Sequence, residues 1–409
     1  MSIGASLNRV KGDRVLWIVI VILTAFSMLV VYSSTGALAF RMAGGNTSFY
    51  IMRQALFQGL GFVIILTMLK YVPVNVYNKV AFVTFISAFG LVFLGILFRS
   101  GDGSGRTIPL GFMSFQPAEL AKVALVMWVA RVLATSQKDD RQLNLAFVKI
   151  VIGVGALCML IAFVNFSSAA LLFATALIMM IVGRIKIKNL IGLGGAGLLF
   201  VATIYFVTPV IPDSIRNKLG RLETVHGRID RFFKGDKSSE IGLTQAEFAK
   251  VAIHRGGLIG EGPGNSLISN FMSASYSDFI YSIIIEEYGF LFGGLGIMIL
   301  YIVFLTRGGI IVRKCSRTFP AFLATGVTAL IVLQAMINMA VSSGAIPVTG
   351  QPLPWVSWGG TSQLFTAFAF GMLLSVSAEN EKAGKQEVEN NFNPEGRLPD
   401  EDIALQKAE

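Results

Sequence analysis

The chain of 409 residues is 54% hydrophobic and only 14% charged. Soluble proteins carry about a quarter charged residues, so this composition excludes an ordinary soluble enzyme and indicates a membrane protein. The formal net charge is +10, and many of the basic residues lie in short segments between apolar runs. Short cytoplasmic loops of membrane proteins have this excess of lysine and arginine. We therefore expect no nucleic-acid partner.

Ten apolar runs along the chain are candidates for membrane spans. They cover residues 15–34, 55–69, 80–98, 120–134, 145–163, 168–183, 190–210, 279–305, 319–341 and 362–376. Four of these runs are short, which leaves nine spans as an alternative. The sequence predicts an all-α polytopic membrane protein with about ten transmembrane helices, seven within residues 15–212 and three within residues 278–376.

Lysines and arginines predict the orientation, because short cytoplasmic loops carry an excess of them. The excess is found on the inner side when residues 1–14 are placed in the cytoplasm, and residues 213–277 then form one large extracytoplasmic loop. From Glu379 the tail has nine acidic and four basic residues and few large apolar ones. We expect residues 377–409 to be a disordered cytoplasmic segment of an inner (cytoplasmic) membrane protein with both termini inside.

The first polar segment on the predicted outer face covers residues 101–122. Arg106 lies in its glycine-rich part, and a helix is expected to follow Gln116. Glu119 and Lys122 are spaced i, i+3 and share a face within a predicted span. Opposite charges in a membrane are costly unless they pair or meet a polar ligand, so they form either a structural ion pair or part of a ligand site.

The large loop ends in a glycine-rich segment, residues 255–265, that begins with Arg255. Such a segment lets backbone N–H groups approach a ligand closely. A nucleotide site is not expected, because no strand precedes the glycines and no Lys-Ser/Thr follows them. His226 and His254 have no cysteine or acidic neighbour at metal-ligand spacing, so no metal site is predicted.

Asp278 lies where the large loop gives way to the apolar run 279–285. A carboxylate at the edge of a membrane segment keeps some solvent while facing a desolvated interior, which suits a proton acceptor. The alternative interpretation is a helix-capping aspartate. Glu286 is eight residues further along the predicted helix, so we expect it on the same face, behind Asp278.

The third polar segment consists of Asn338 and the proline- and glycine-rich residues 347–362. Irregular backbone at membrane depth is tolerated only where it is buried in protein or lines a wet cavity. Ser357, Thr361 and Ser362 are therefore candidate ligand contacts, and a purely structural re-entrant turn is the alternative. Three polar segments on one face of the bundle predict a single outward-facing site.

Four motifs in register resemble the SEDS family (shape, elongation, division and sporulation) of peptidoglycan glycosyltransferases. They are residues 105–108 with 115–122, residues 262–266, residues 277–289, and residues 337–339 with 347–362. The resemblance covers about residues 10–378 and is closer to FtsW-like than to RodA-like members. Many members read Pro-Asp-Phe/Leu-Gly-Thr where this chain has residues 165–169, Asn-Phe-Ser-Ser-Ala, so a role for that aspartate does not transfer.

The resemblance implies polymerisation of lipid II into glycan strands at the outer face of the membrane, for septal wall synthesis in cell division. It implies that Asp278 is the catalytic carboxylate. The expected substrate-binding residues are Arg106, Gln116, Glu119, Lys122, Arg255, Ser357, Thr361 and Ser362, with Glu286 and Asn338 behind them. The expected partners are a monofunctional class B penicillin-binding protein, which is a transpeptidase, and other divisome proteins.

No cofactor is required by this hypothesis, although a divalent cation, Mg or Mn, could help neutralise the leaving pyrophosphate. Two other classes of function remain open. A flippase for the lipid-linked precursor would also need a polar outward cavity and buried charges, whereas a non-catalytic division scaffold would need only the fold and the tail. A single carboxylate at the outer edge favours catalysis, because scaffolding does not need it.

Overall fold

The computed structural model describes residues 11–36, 47–98, 107–110, 113–211, 220–234, 243–272 and 275–392. The first half of the chain contains α1 (Arg14–Ser34), α2 (Thr47–Tyr71), α3 (Val74–Phe98), a hairpin of β1 (Ile108–Leu110) and β2 (Met113–Phe115), α4 (Pro117–Thr135), α5 (Asp140–Val182) and α6 (Ile187–Val207). The strands are antiparallel and pair Ile108 with Phe115, so the chain enters α4 directly from the paired strand β2.

The second half begins with two helices of the large loop, α7 (Gly220–Lys234) and α8 (Gln245–Gly256). It continues with α9 (Ile280–Tyr288), a π-helical turn (Gly289–Gly294), α10 (Leu295–Arg313), α11 (Thr318–Ser342) and α12 (Gly360–Phe392). The π turn joins α9 and α10 into one continuous apolar segment of 34 residues, Ile280–Arg313.

Eight helices among the described residues are long and apolar enough to cross a membrane. One of them, α5, has 43 residues and is non-helical at Asn165, where φ is −150° and ψ is 91°. A span needs only about 20 residues, so we divide α5 at Asn165 into two spans. Adding the buried helix α4 gives ten. The all-α polytopic fold is confirmed, and the count of ten spans stays a prediction.

Close helix contacts in the bundle depend on glycines that leave no room for a side chain. A Cβ on Gly153 of α5 would lie 2.3 Å from the ring of Trp128 on α4. A Cβ on Gly308 of α10 would lie 2.3 Å from the hydroxyl of Thr328 on α11. Small residues of this kind let membrane helices pack closely where lipid and protein are equally apolar.

The tail differs from its prediction, because α12 continues to Phe392. Residues 377–392 are therefore helical, and the prediction of disorder from residue 377 is wrong for them. Residues 393–409 lie outside the described part of the chain. Glu379 forms an ion pair with Arg317 at 3.3 Å, and the Asn380 amide donates to the carbonyl of Ile311 at 3.0 Å. These contacts hold the first turn beyond the span against the α10–α11 connection.

Candidate active site

A polar cavity of about 180 Å³ lies among α4, the kink of α5, the turn before α9 and the segment before α12. It is lined by Gln116, Glu119, Asn165, Ser168, Ser277, Asp278, Gly350, Gln351, Pro352, Trp358, Gly359 and Ser362. Asp278 and Glu119 supply its two carboxylates. The first and third polar segments of the sequence therefore meet at Asp278, whereas residues 255–265, the second segment, are not among the residues that line this cavity.

Three hydrogen bonds fix the backbone that presents Asp278. The Asn338 side-chain amide of α11 donates to the Asp278 carbonyl at 2.9 Å, and the Ser357 hydroxyl donates to the Ser277 carbonyl at 2.7 Å. The backbone N–H of Trp358 donates to the Tyr276 carbonyl at 2.9 Å. Asn338 and Ser357 thus hold the turn that carries Asp278 through its main chain.

Asp278 does not cap the helix that follows it. The N-cap of α9 is Phe279, and no side chain accepts a hydrogen bond at that position. Asp278 is half-buried and faces the cavity. The alternative of a helix-capping aspartate is therefore not supported.

The pKa of the Tyr276 hydroxyl is affected by its burial and by the neighbouring Tyr50 and Asp278. Burial raises the pKa of Tyr276 above its ordinary value of 10.0, and Tyr50 and Asp278 shift it in the same direction. A carboxylate disfavours a second negative charge beside it. Tyr276 therefore stays protonated next to Asp278 at neutral pH and is available as a hydrogen-bond donor.

The segment before α12 is deeply buried around Trp355, which is only 1% exposed. Its φ of 67° is unusual for a bulky residue, and such strain persists only where the surroundings impose it. The indole of Trp355 donates to the Thr24 hydroxyl at 2.8 Å, and its carbonyl accepts from Gln58 at 3.2 Å. Contacts with α1 and α2 thus fix the irregular segment that forms one wall of the cavity.

Glu119 and Lys122 form the predicted ion pair, with the ammonium 2.8 Å from the carboxylate. Lys122 is 2% exposed, and its ammonium also donates to Gln334 at 3.1 Å and to Gln351 at 3.5 Å. Gln351 in turn donates to the Ser168 hydroxyl at 3.0 Å. The pair is part of a polar network that connects α4, α5, α11 and the segment before α12, and Glu119, Ser168 and Gln351 of this network line the cavity.

The α5 kink brings two residues into the cavity that the sequence analysis did not select. Asn165 breaks the helix, and its side-chain oxygen accepts from the backbone N–H of Ser168 at 3.2 Å, as a cap does. The sequence carried a signal for both residues, because they are polar and interrupt an otherwise apolar run.

Two residues predicted for the site, Glu286 and Arg255, make their contacts outside the cavity. Glu286 is fully buried and accepts from the Ser266 hydroxyl at 2.5 Å and from the N–H groups of Leu267 and Ile268 at 3.1 and 3.3 Å. Arg255 lies 3.7 Å from Glu286. Glu286 does not line the cavity behind Asp278, and with Arg255 it holds the end of the large loop on α9.

Of the remaining residues predicted to contact the substrate, some line the cavity and others do not. Gln116 and Ser362 line the cavity, whereas the Thr361 hydroxyl donates to the carbonyl of Ser114 at 3.1 Å and ties α12 to the hairpin. Arg106 lies outside the described residues. Gln351 and Trp358 line the cavity and were missed, although both lie within the proline- and glycine-rich segment that the sequence analysis singled out.

We expect Glu286→Gln to loosen the end of the large loop, because a neutral amide binds N–H groups less strongly than a carboxylate and loses the attraction of Arg255. Hydrogen exchange at the amides of Leu267 and Ile268 should accelerate about tenfold or more. Glu379→Gln removes a carboxylate from a more exposed ion pair with Arg317 and serves as the control. Unchanged exchange in Glu286→Gln would show that the loop is held by its other contacts.

Fold and cavity together define a polytopic membrane protein with a carboxylate-bearing polar site near one end of the bundle. The family FTSW_RODA_SPOVE, described as "Cell cycle protein", matches residues 13–382. The chain belongs to this family, and the family prediction is confirmed.

Curated relatives match nearly the whole chain. The probable peptidoglycan glycosyltransferase FtsW of Geobacter sp. (strain M18) is 29% identical, and the match covers 91% of this chain and 98% of that protein. The FtsW of the same description from Marinobacter nauticus is 30% identical and covers 85% of each chain. Stage V sporulation protein E of Bacillus subtilis is 29% identical over 90% of this chain and 98% of its own.

Solved structures share the fold. A chain from the structure described as "Structural coordination of polymerization and crosslinking by a peptidoglycan synthase complex" matches with a TM-score of 0.71 at 20% identity, over 90% of this chain and 98% of its own. The rod shape determining protein RodA of Thermus thermophilus matches with a TM-score of 0.62 at 20% identity, over 91% of this chain and 99% of its own.

Proposed function

We propose that the protein is a peptidoglycan glycosyltransferase that polymerises lipid II into glycan strands at the outer face of the cytoplasmic membrane. The observation that carries this proposal is Asp278, a half-buried carboxylate held by its main chain in a polar cavity. The curated relatives named as peptidoglycan glycosyltransferases, which match most of the chain, support the reaction class.

In this reaction Asp278 acts as the general base. It takes the proton from the acceptor sugar's hydroxyl, whose oxygen forms a bond to the anomeric carbon of the donor while the bond to the pyrophosphate breaks. Positive charge stabilises the departing pyrophosphate. Arg106 is proposed for that task. Lys122 is buried behind the wall and neutralised by Glu119, so its effect on the site is through Gln351 and the shape of the cavity.

A divalent cation, Mg or Mn, stays part of the proposal. Among the described residues no three His, Cys, Asp or Glu side chains lie together as a metal site. Magnesium is commonly bound by one or two carboxylates plus substrate phosphates. The carboxylate of Asp278 and the amide oxygens of Gln116 and Asn165 are of the type that would hold such an ion. Once bound, the ion would neutralise pyrophosphate charge.

The septal role and the partners are proposed from the relatives. Relatives named FtsW favour cell division over elongation. The solved neighbour described as a peptidoglycan synthase complex for polymerisation and crosslinking supports a class B penicillin-binding protein as partner. Other divisome proteins are proposed on the same basis. Such an arrangement would join strand synthesis to crosslinking.

One assay separates this function from its alternatives. Purified protein with its transpeptidase partner is given labelled lipid II, and glycan polymer is measured by gel electrophoresis. Polymer that disappears in Asp278→Asn supports the glycosyltransferase. Transport of labelled lipid II across vesicles without polymer would favour the flippase. Neither activity, together with intact recruitment of division proteins, would favour the scaffold.

The orientation of the large loop is a prediction with a direct test. In a variant lacking Cys158 and Cys315, a cysteine at Leu243, which is 53% exposed, should react with a membrane-impermeant thiol reagent in intact spheroplasts. A cysteine at the exposed Ser316, in the α10–α11 connection, should react only after the membrane is opened. The reverse pattern would place Asp278 on the wrong side for an outward lipid-linked sugar.

A further inference from the structure

Trp358 lines the cavity that holds Asp278, and its ring is fixed by neighbours on several sides. The rings of Tyr50 and Tyr276 meet it edge-on, with centroids 5.9 and 5.3 Å away. The guanidinium carbon of Arg53 lies 5.4 Å from its centroid. The backbone N–H of Trp358 donates to the Tyr276 carbonyl. The position of Trp358 is therefore coupled to the turn that carries Asp278.

Trp358 differs from a tryptophan that serves only to pack the core. Trp355, three residues earlier, is 1% exposed and its indole N–H is hydrogen-bonded to Thr24. Trp358 is only partly buried and lines a cavity whose other residues are mainly carboxylates, amides and hydroxyls. A sugar ring matches this combination, because it has an apolar face of C–H groups and a rim of hydroxyls.

Arg53 adds a positive charge beside this aromatic surface. Its guanidinium lies over Trp358 and over Phe57, at 5.9 Å from the Phe57 centroid. Within the described ranges it forms no ion pair with a carboxylate, and the side chain is partly exposed. Arginine that is preorganised on aromatic rings and not neutralised by an acid is suited to bind phosphate.

We propose that Trp358 and Arg53 form a subsite for one pyrophosphate-linked sugar, with the sugar ring stacked on Trp358 and the anionic linker drawn to Arg53. The cavity of about 180 Å³ is small, so the subsite is proposed for one sugar ring and not for a longer glycan. The proposal rests on the proposed glycosyltransferase function and goes beyond it by locating one sugar unit relative to Asp278. Neither residue was among those expected from the sequence.

Binding without turnover tests this subsite. Full-length Asp278→Asn protein in detergent is titrated with lipid II, with polyprenyl pyrophosphate that carries no sugar, and with polyprenyl monophosphate. Adding Trp358→Leu should weaken lipid II binding about tenfold and leave polyprenyl pyrophosphate within about twofold. Adding Arg53→Gln should weaken both pyrophosphate ligands about tenfold and the monophosphate less.

A structural role for Trp358 would give a different result. Trp128→Leu removes a tryptophan that is stacked on Phe85 at 4.3 Å and does not line the cavity. It should lower the unfolding temperature without changing the ratio of the lipid II and polyprenyl pyrophosphate dissociation constants. If Trp358→Leu changes both constants equally, or neither, the sugar subsite is wrong.

A second variant covers the case in which Trp358→Leu does not fold. Trp358→Phe keeps a smaller ring and should weaken lipid II about threefold with polyprenyl pyrophosphate unchanged. Equal effects on both ligands would again overturn the proposal. Since no turnover is needed, a parent protein that binds lipid II through Trp358 but makes no polymer would refute the proposed function and leave the subsite standing.

Discussion

Asp278→Asn is expected to lower the rate of glycan polymerisation at least about a hundredfold, the usual contribution of a general base. The amide has nearly the size of the carboxylate and cannot take the acceptor's proton. The bonds that hold the turn come from Asn338, Ser357 and Trp358 to backbone carbonyls, so they do not depend on the Asp278 side chain. Folding and lipid II binding should therefore survive.

The comparison that isolates the base uses three proteins under saturating lipid II. Asp140→Asn changes an exposed carboxylate, 80% accessible, at the far end of α5 and should retain full activity. Asp278→Glu keeps the charge but moves it by one methylene, and it should regain part of the lost rate. Near-normal polymer from Asp278→Asn would remove Asp278 as the base and reopen the scaffold and flippase alternatives.

The sequence predicted the helices and the contact of Glu119 with Lys122 because both depend on local patterns. Apolar runs mark spans, and an i, i+3 pair within a span predicted the contact between Glu119 and Lys122, which the structure confirms. Asp278 was placed at the start of an apolar run, and the structure puts it in the turn before α9. These features need no knowledge of which helices are neighbours.

The contacts of Glu286 could not be read from helical periodicity, for a geometric reason. The i+8 argument assumed one continuous helix from Asp278, whereas α9 begins at Ile280. The helical periodicity of 3.6 residues therefore does not extend back to Asp278. The actual partners of Glu286, residues 266–268, lie in the large loop, and no periodicity in the sequence predicts such a long-range contact.

The cavity residues that were missed have a related cause. Gln351 and Asn165 become site residues only when the segment before α12 packs against the α5 kink, through the bond from Gln351 to Ser168. Sequence spacing reports neighbours on one element, and this contact joins residues 183 positions apart. The tail helix was missed because low apolar content was read as disorder, although residues 377–392 include many strong helix formers.

The second large effect concerns the buried pair of α4. Glu119→Gln and Lys122→Met should each destabilise the protein by about 3 kcal/mol or more, because each leaves its partner charge buried and uncompensated. The double variant should be more stable than either single variant, since no isolated charge remains. Thermal and denaturant unfolding in detergent, combined in a double-mutant cycle, measures the coupling.

The exposed pair of Lys186 and Asp140 provides the control for that cycle. Its charges are 3.3 Å apart but 56% and 80% accessible, so its coupling should be at most about 1 kcal/mol. Additive effects at Glu119 and Lys122 would contradict the buried pair. Because Lys122 also holds Gln334 and Gln351, the stable double variant should still lose polymerisation if the network shapes the cavity. Full activity in that variant would mean that the network contributes to folding alone.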